Sequence, residues 1–229
     1  MSESLLASHS FSYRCSSCGR CCHNKRIQIG PYELFRLSRN RGLSTGEFAR
    51  RYVDVDGPFL RFGKDGKCPF LIAGACAVHS DRPLVCRLYP LGRHVDAQGN
   101  ETFSHVEPHP QSEGEYGDTG TVARFIEQQG ALPYLRAADC YQDLFHRLCA
   151  ALQASLQAHP DIVNSTSDLL PASREVKALS FMEWLDIDAT LRHFSKQWGL
   201  LAPEDADHAM ALHIRAIELA LNLPTPPGG

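Results

Sequence analysis

The spacing of apolar residues predicts helices in the first half of the chain. Residues 31–40 place leucine and phenylalanine side chains near one helical face. Residues 44–47 have the form of a capping box, which predicts a second helix that continues to about residue 53. Residues 80–83 end in a proline and predict the start of a third, shorter helix, which carries Cys86.

Short alternating runs between these helices predict strands. Residues 27–29 alternate like a short strand that ends at a Gly-Pro pair. Residues 59–71 are typical of a hairpin that turns at residues 64–66. A second predicted hairpin covers residues 94–106 and turns at residues 97–100.

Helical periods dominate the C-terminal half of the chain. The pattern predicts a loop at 108–120, helices at 121–129 and 133–158, a loop at 164–171, a helix that begins with a capping box at 180–183, a helix at 203–222 and a frayed tail. The expected fold class is α+β and predominantly helical, with a cysteine-rich metal-binding region of short β-hairpins packed against C-terminal helices. The expected regions are 1–118 and 119–229, together forming one compact unit.

Composition narrows the class of protein. Hydrophobic residues make up 43% of the 229 residues and charged residues 21%, as in ordinary globular proteins. The net charge of −3 argues against a broad basic surface, so nucleic acid is not expected as a partner. No apolar run approaches a membrane span, and the N-terminus has no export signal, so a cytoplasmic location without membrane contact is expected.

The cysteines are the most informative residues, because they are numerous, odd in number and unevenly placed. The chain has nine, and in a reducing compartment such thiols favour metal binding over disulfides. Seven lie within the first 86 residues, at Cys15, Cys18, Cys21, Cys22, Cys68, Cys76 and Cys86. Cys140 and Cys149 lie on or beside the apolar stripe of the 133–158 helix and are expected to belong to its core.

The first group has the tight spacing of a metal-binding turn. Two-residue gaps separate Cys15, Cys18 and Cys21, and Gly19 permits the sharp turn that lets the sulfurs converge. Bacterial ferredoxins present three thiolates to an iron–sulfur cluster with the same spacing, followed by a Cys-Pro pair that occurs here only at Cys68. Cys21 and Cys22 are adjacent, so two interpretations are open. Either the two bind different metals, or one is a ligand and the other packs in the protein interior.

The second group, Cys68, Cys76 and Cys86, is spaced too widely for a single metal-binding knuckle. It is suited to complete a site that the first group begins, once the chain folds back. Cys86 is expected in the first turn of a helix, where the helix dipole and free N–H groups favour its thiolate.

These motifs together resemble the bacterial CxxCxxCC cysteine-cluster family. The matching elements are Cys15-x2-Cys18-x2-Cys21-Cys22, Cys68-Pro-Phe-Leu, Cys76-x-Val-His79 and Arg82-Pro-x-x-Cys86-Arg87-x-Tyr89-Pro90. The resemblance covers roughly residues 12–110 and implies a zinc- or iron-chelating domain, often described as an iron–sulfur-cluster protein. A related region occurs in the flagellin lysine methylase, an enzyme associated with an iron–sulfur cluster and S-adenosylmethionine.

The chain departs from that family at one position. Members often carry an eighth Cys followed by Pro-Gly, and His109-Pro110 stands at the corresponding place here. We hypothesise that His109 replaces this thiolate, so that seven Cys and one His serve two zinc ions, or one cluster and a second site. His79 is equally suited to bind metal or to orient a ligand. For His23 and His105 the sequence likewise leaves open whether they bind metal.

Metal ions are therefore the expected partners, bound as an iron–sulfur cluster, which is slightly favoured, or as zinc or iron ions. Arg82, Arg87 and Tyr89 suit contacts to thiolates and structural roles equally well. The motifs of nucleotide binding, of serine hydrolases and of zinc proteases are absent from the sequence. The favoured function is a non-catalytic metal-binding protein. The alternative is an enzyme that uses the cluster, with a protein-lysine methyltransferase-like or oxidoreductase activity.

Overall fold

The structure is a computed structural model that describes residues 4–16, 18–158, 186–198, 203, 205–221 and 223. These residues form a mixed α+β fold, which confirms the coarse fold class. The predicted loop at 164–171 and the capping box at 180–183 lie outside the described residues.

Seven α-helices occur in the described part of the chain. They are α1 (Pro31–Asn40), α2 (Thr45–Tyr52), α3 (Leu84–Leu88), α4 (Val122–Gln128), α5 (Leu132–Ala158), α6 (Ile187–Trp198) and α7 (Ala206–Ala220). The first five agree with the predicted helices to within about two residues. The capping box of α2 is present, because Ser44 Oγ accepts a hydrogen bond from Glu47 N while the Glu47 carboxylate accepts one from Ser44 N.

Short antiparallel strands form three small sheets. The strands are β1 (Ser4–Leu5), β2 (Ser10–Arg14), β3 (Leu71–Ile72), β4 (Ala75–Cys76), β5 (Leu91–Val95), β6 (Glu101–His105) and β7 (Glu115–Thr121). The sheets have the orders β1-β6-β5, β2-β7 and β3-β4. The second predicted hairpin is confirmed as β5 and β6, paired from Leu91–His105 to Val95–Glu101.

The predicted hairpin at 59–71 is wrong, although its turn exists. Gly66 N donates to Gly63 O, but the residues before the turn pair elsewhere. Leu60 N donates to Ile27 O, and Ile29 N donates to the carbonyl of residue 58. The 27–29 segment therefore pairs with the stretch that was expected to pair within a hairpin. The strand pairing of Cys76 comes instead from β3 and β4, which the sequence pattern did not predict.

The expected loop at 108–120 is wrong over its second half, where β7 pairs with β2. Most residues of β7 are exposed, and the segment is polar and contains two glycines, so it lacks the alternation of apolar and polar residues from which a strand is predicted. Backbone pairing defines the strand, and the rings of Tyr13 and Tyr116 pack across it with centroids 5.1 Å apart.

Two buried clusters form the main core. One contains Leu5, Phe11, Leu88, Leu91, Phe103, Val122, Phe125, Ile126, Ala131 and Leu135. The other contains Ile29, Leu34, Leu37, Phe48, Ala49, Val53, Leu60, Phe70 and Val78, with Cys68 and Cys76 packed against it. Within the described helices, none has the length and apolar character needed to cross a bilayer. The division at residues 118 and 119 stays a prediction.

Asp188 links α6 to the helices of the first half of the chain. Its carboxylate accepts hydrogen bonds from both terminal guanidinium nitrogens of Arg39, at 2.6 and 3.0 Å, and from Thr45 N at 2.8 Å. Burial raises the pKa of Asp188, but the hydrogen bonds of Arg39 and Thr45 outweigh it and hold the pKa below its usual value.

The Asp188→Asn substitution is expected to lower the free energy of unfolding at pH 7 by roughly 1–3 kcal/mol, because hydrogen bonds to a charged group are lost. A carboxyl with a depressed folded-state pKa stabilises the fold above its unfolded pKa of about 3.9, and this contribution disappears as the pH falls through the folded pKa. Denaturant titrations should show the two proteins converging below about pH 4. Asp118→Asn, at an exposed position of β7, controls for the change in net charge. An equal loss of stability in Asp118→Asn would contradict a stabilising role for the hydrogen bonds of Asp188.

Candidate metal centre

One cavity of about 650 Å³ brings both cysteine groups together. Its lining contains Cys15, Cys18, Cys21, Cys22, Cys68, Cys76 and Cys86. Cys15 is exposed and the other six are partly buried, and none of the seven is in a disulfide. Cys140 packs partly buried against the cluster around Tyr32 and Tyr134, and neither Cys140 nor Cys149 borders the cavity.

A glycine turn shapes the first cysteine group. Gly19 has a left-handed backbone with φ of 69° and precedes a single 3₁₀ turn, Arg20–Cys22. Cys22 N donates to Gly19 O at 3.1 Å, and Cys22 O accepts a hydrogen bond from Cys68 N at 2.9 Å. This second bond joins the two cysteine groups through the main chain.

The hairpin of β3 and β4 presents Cys76. Its two turn residues, Ala73 and Gly74, have positive φ values of 50° and 80°, as a two-residue turn of type I′ requires. Gly74 O lies close to Gly19: a Cβ atom on Gly19 would stand 3.2 Å from this oxygen and 3.1 Å from Leu71 Cδ1. The turn that carries Cys18 and Cys21 therefore packs directly on this hairpin.

Glu33 positions the helix that carries Cys86. Its Oε2 accepts a hydrogen bond from Gly30 N at the start of α1, and its Oε1 accepts one from Leu84 N at the start of α3, at 2.8 Å. Burial raises the pKa of Glu33, while these backbone hydrogen bonds and the charge of Arg87 oppose the increase. The helical spacing of Gly30 and Glu33 indicates the first contact in the sequence, but only the tertiary structure reveals the second.

The Cys86 thiol differs from the expectation for a helix N-terminus. The Cys86 N–H donates to Pro83 O at 2.9 Å and is not free to face a sulfur. Burial raises the pKa of Cys86, and the neighbouring thiols of Cys68 and Cys21 raise it further. Burial is therefore the main influence on this thiol, which lies in a helix of only five residues.

Cys21 and Cys22 share a hydrogen bond between their thiols. This bond lowers the pKa of Cys21 and raises the pKa of Cys22, because Cys22 keeps the shared proton. Lys25 and Arg82 lower the pKa of Cys21 further. Burial also raises the pKa of Cys68. A bound metal ion would replace the protons on these crowded sulfurs, as thiolate ligation requires.

The two arginines of the family motif have different surroundings. Arg82 borders the cavity, while Asp81 pairs with Arg36 at 2.8 Å rather than with Arg82. Arg87 is buried and donates to Arg82 O, Gln129 O and Tyr134 Oη, at 3.0, 2.8 and 2.9 Å. Arg87 does not line the cavity, but it holds the main chain of Arg82 and Gln129, which do.

The histidines occupy separate positions. His79 borders the cavity, and burial lowers its pKa, with Arg82 and Arg87 adding to the decrease. His23 Nδ1 lies 3.2 Å from Gly19 O, and His105 packs against Phe11. His109 is outside the cavity lining: its N–H donates to Tyr89 Oη at 3.1 Å, and its Nδ1 accepts a hydrogen bond from Gln111 N.

The donor set fits zinc or iron. Sulfur is the donor that dominates the cavity wall, and soft thiolates suit both metals. Among the described residues, no three His, Cys, Asp or Glu side chains already stand in the arrangement of a single-ion site.

Comparison with known families agrees with this chemistry. Residues 14–109 match the model of the CxxCxxCC family, described as a “Putative zinc- or iron-chelating domain”. The resemblance found in the sequence is confirmed over residues 14–109. Metal binding is the function that this description supports. Searches of curated proteins and of solved structures give no match.

The Gly19→Ala substitution is expected to destabilise the fold and to lower metal content. A left-handed alanine costs roughly 1–2 kcal/mol, and the new Cβ also crowds Leu71 and the Gly74 carbonyl. Gly99→Ala is the matched control, because Gly99 has φ of 82° and nothing lies within 4 Å of the position that its Cβ would take. Denaturant titration and metal analysis of both variants separate the backbone strain, which both share, from the crowding at Gly19. Equal losses of stability and metal in the two variants would contradict a role for the close approach of Gly19 to Gly74.

The assignment of His109 as a ligand stays a prediction with a direct test. We expect His109→Ala to bind less metal per chain, because a four-coordinate site that loses a ligand loses affinity. His146→Ala, at an exposed position of α5, is the control. Full metal stoichiometry in His109→Ala would remove His109 from the ligand set.

Proposed function

We propose that this protein binds an iron–sulfur centre in the cavity, through thiolates drawn from Cys15, Cys18, Cys21, Cys22, Cys68, Cys76 and Cys86. The convergence of all seven thiols on one cavity carries the proposal. Iron–sulfur clusters are held by cysteine thiolates, and their ligand sulfurs surround several metal atoms at once. Seven cysteines on one cavity are more than a single four-coordinate ion can use, which favours a centre with several metal atoms.

The order of the thiols along the chain also supports a cluster. Cys15, Cys18 and Cys21 have ferredoxin-like spacing, and the Cys-Pro at residue 68 hydrogen-bonds back to Cys22. The fold thus brings a remote Cys-Pro to the triplet, where ferredoxins supply it nearby in sequence. An odd number of cysteines, clustered with the spacing of metal ligands, is typical of a reducing compartment, so we propose a cytoplasmic location.

Zinc is the second candidate, and the β3–β4 hairpin favours it. A short hairpin that presents a cysteine beside a tight glycine turn is typical of structural zinc sites. In that case the metal would tie together a region with few long elements and would contribute directly to folding.

Purification without oxygen, followed by metal and sulfide analysis, tests the proposal. We expect a brown protein with a broad absorption band near ~400 nm, containing iron and inorganic sulfide. A colourless protein with stoichiometric zinc and no sulfide would contradict the iron–sulfur proposal and support the zinc site.

Single serine substitutions test which thiols hold the metal. We expect Cys68→Ser and Cys86→Ser each to lose at least about half of the bound metal, since both thiols border the cavity and an oxygen replaces a soft donor. Cys140→Ser and Cys149→Ser are matched controls, because both are partly buried thiols of α5 away from the cavity. Metal content that falls equally in all four variants would indicate general unfolding.

A further inference from the structure

The charged residues that line the cavity are basic, although the protein as a whole is acidic. The chain contains 26 acidic residues and has a net charge of −3, yet no Asp or Glu is among the described residues that line the cavity. Four cations border it: Lys25, Arg26, Arg82 and Arg93. Arg93 pairs with Glu101 and Asp139, whereas none of the ion pairs between described residues includes the other three.

Neutral groups hold Arg82 in place. Its guanidinium donates to His79 O and to Gln129 Oε1, each at 2.8 Å. Gln129 also borders the cavity, and Arg82 is partly buried there. These contacts fix the orientation of the side chain without neutralising its charge, which is the arrangement of a preorganised anion contact.

The other two cations have equally little anionic compensation. The Lys25 ammonium lies 6.0 Å from the centroid of the Tyr89 ring and interacts electrostatically with the Cys21 thiol. The guanidinium of Arg26 lies over the ring of Phe59, 3.7 Å from its centroid. The two aromatic rings carry no formal charge, and Cys21, whose pKa Lys25 helps to lower, is one of the proposed metal ligands.

Metal-bound thiolates do not account for all of this positive charge. If four of the seven cavity cysteines are thiolate ligands and the other three stay protonated, one zinc ion, or a cluster core of charge +2, leaves about two negative charges. Lys25, Arg26 and Arg82 carry three positive charges, so about one remains uncompensated beside the metal centre.

The cavity also has the size of a small-molecule site. The cavity, which also holds the proposed metal centre, has a volume of about 650 Å³, within the range of about 300–1,000 Å³ that is typical of ligand pockets. Ile27, Leu60 and Phe62 form part of an apolar wall, and the phenol of Tyr89 adds a polar group. One or two polar contacts on an apolar surface are typical of sites for organic ligands.

We propose that the cavity binds a small organic monoanion, with a carboxylate held by Arg82 and Lys25 and an apolar body against Ile27, Leu60 and Phe62, beside the metal centre. The count of charges rests on the proposed metal function. The planar guanidinium suits a carboxylate, because it can donate two parallel hydrogen bonds.

Three probes of matched shape test the proposal on the metal-loaded protein: 2-naphthoate, 2-naphthamide and 2-naphthylmethylammonium. Their rings are the same, and their charges are negative, neutral and positive. Isothermal titration calorimetry at low ionic strength should show saturable binding of one naphthoate per chain. We expect naphthoate to bind at least tenfold more tightly than the amide, and the cation to bind more weakly than either.

Charge-removing variants locate the contact. Arg82→Gln and Lys25→Gln should each weaken naphthoate binding at least tenfold and leave naphthamide binding nearly unchanged. Arg41→Gln, at an exposed arginine that does not border the cavity, should behave as the unsubstituted protein. Two variants are used because a substitution that also releases the metal cannot report on the anion contact alone. The other variant then still provides the test.

The proposal is wrong if naphthoate and naphthamide bind equally, if neither binds, or if naphthoate binding survives both substitutions. Loss of metal in both variants, without naphthoate binding by the unsubstituted protein, would mean that the cations serve the thiolates alone. Iron, zinc and sulfide are measured on the same samples. Zinc in place of iron would contradict the cluster while leaving the anion test valid, because four thiolates on zinc carry a similar charge.

Discussion

The hydrogen bond from Cys68 N to Cys22 O is the contact on which the candidate site depends. It joins the glycine turn of the first cysteine group to the chain that leads into the β3–β4 hairpin. The close approach of Gly19 to Gly74 packs the same two segments together. Since neither segment has long regular elements, these contacts and the flanking hydrophobic clusters hold the cavity in shape.

Charge is the second constraint on this region. Burial and neighbouring thiols favour protonated sulfur at Cys68 and Cys86, and Cys21 shares a proton with Cys22. Metal ions supply the positive charge that crowded thiolates need, so metal binding and the final geometry of the site are expected to be coupled. Glu33 contributes from outside the cavity by capping both α1 and α3, which fixes the helix that carries Cys86.

Local signals in the sequence predicted the elements whose stability is local. The capping box at Ser44 and Glu47 and the proline-led start of α1 indicated the first helices, because these signals act within one turn. The strand β7 was missed, since its side chains are exposed and its pairing with β2 comes from distant backbone groups. The hairpin expected at 59–71 failed for the same reason: Leu60 N donates to the distant Ile27 O, and Ile29 N donates to Pro58 O beside the expected hairpin.

The sequence by itself determined the kind of site, because cysteine spacing is covalent and the thiol is a specific donor. It indicated a CxxCxxCC domain, a first cysteine turn built around Gly19 and a second group too widely spaced to act alone. Only the tertiary structure decided that all seven thiols meet at one cavity, that His109 lies outside its lining, and that cations but no carboxylates of the described residues border it. Those features depend on contacts between segments far apart in the chain, where burial and close packing outweigh local preference.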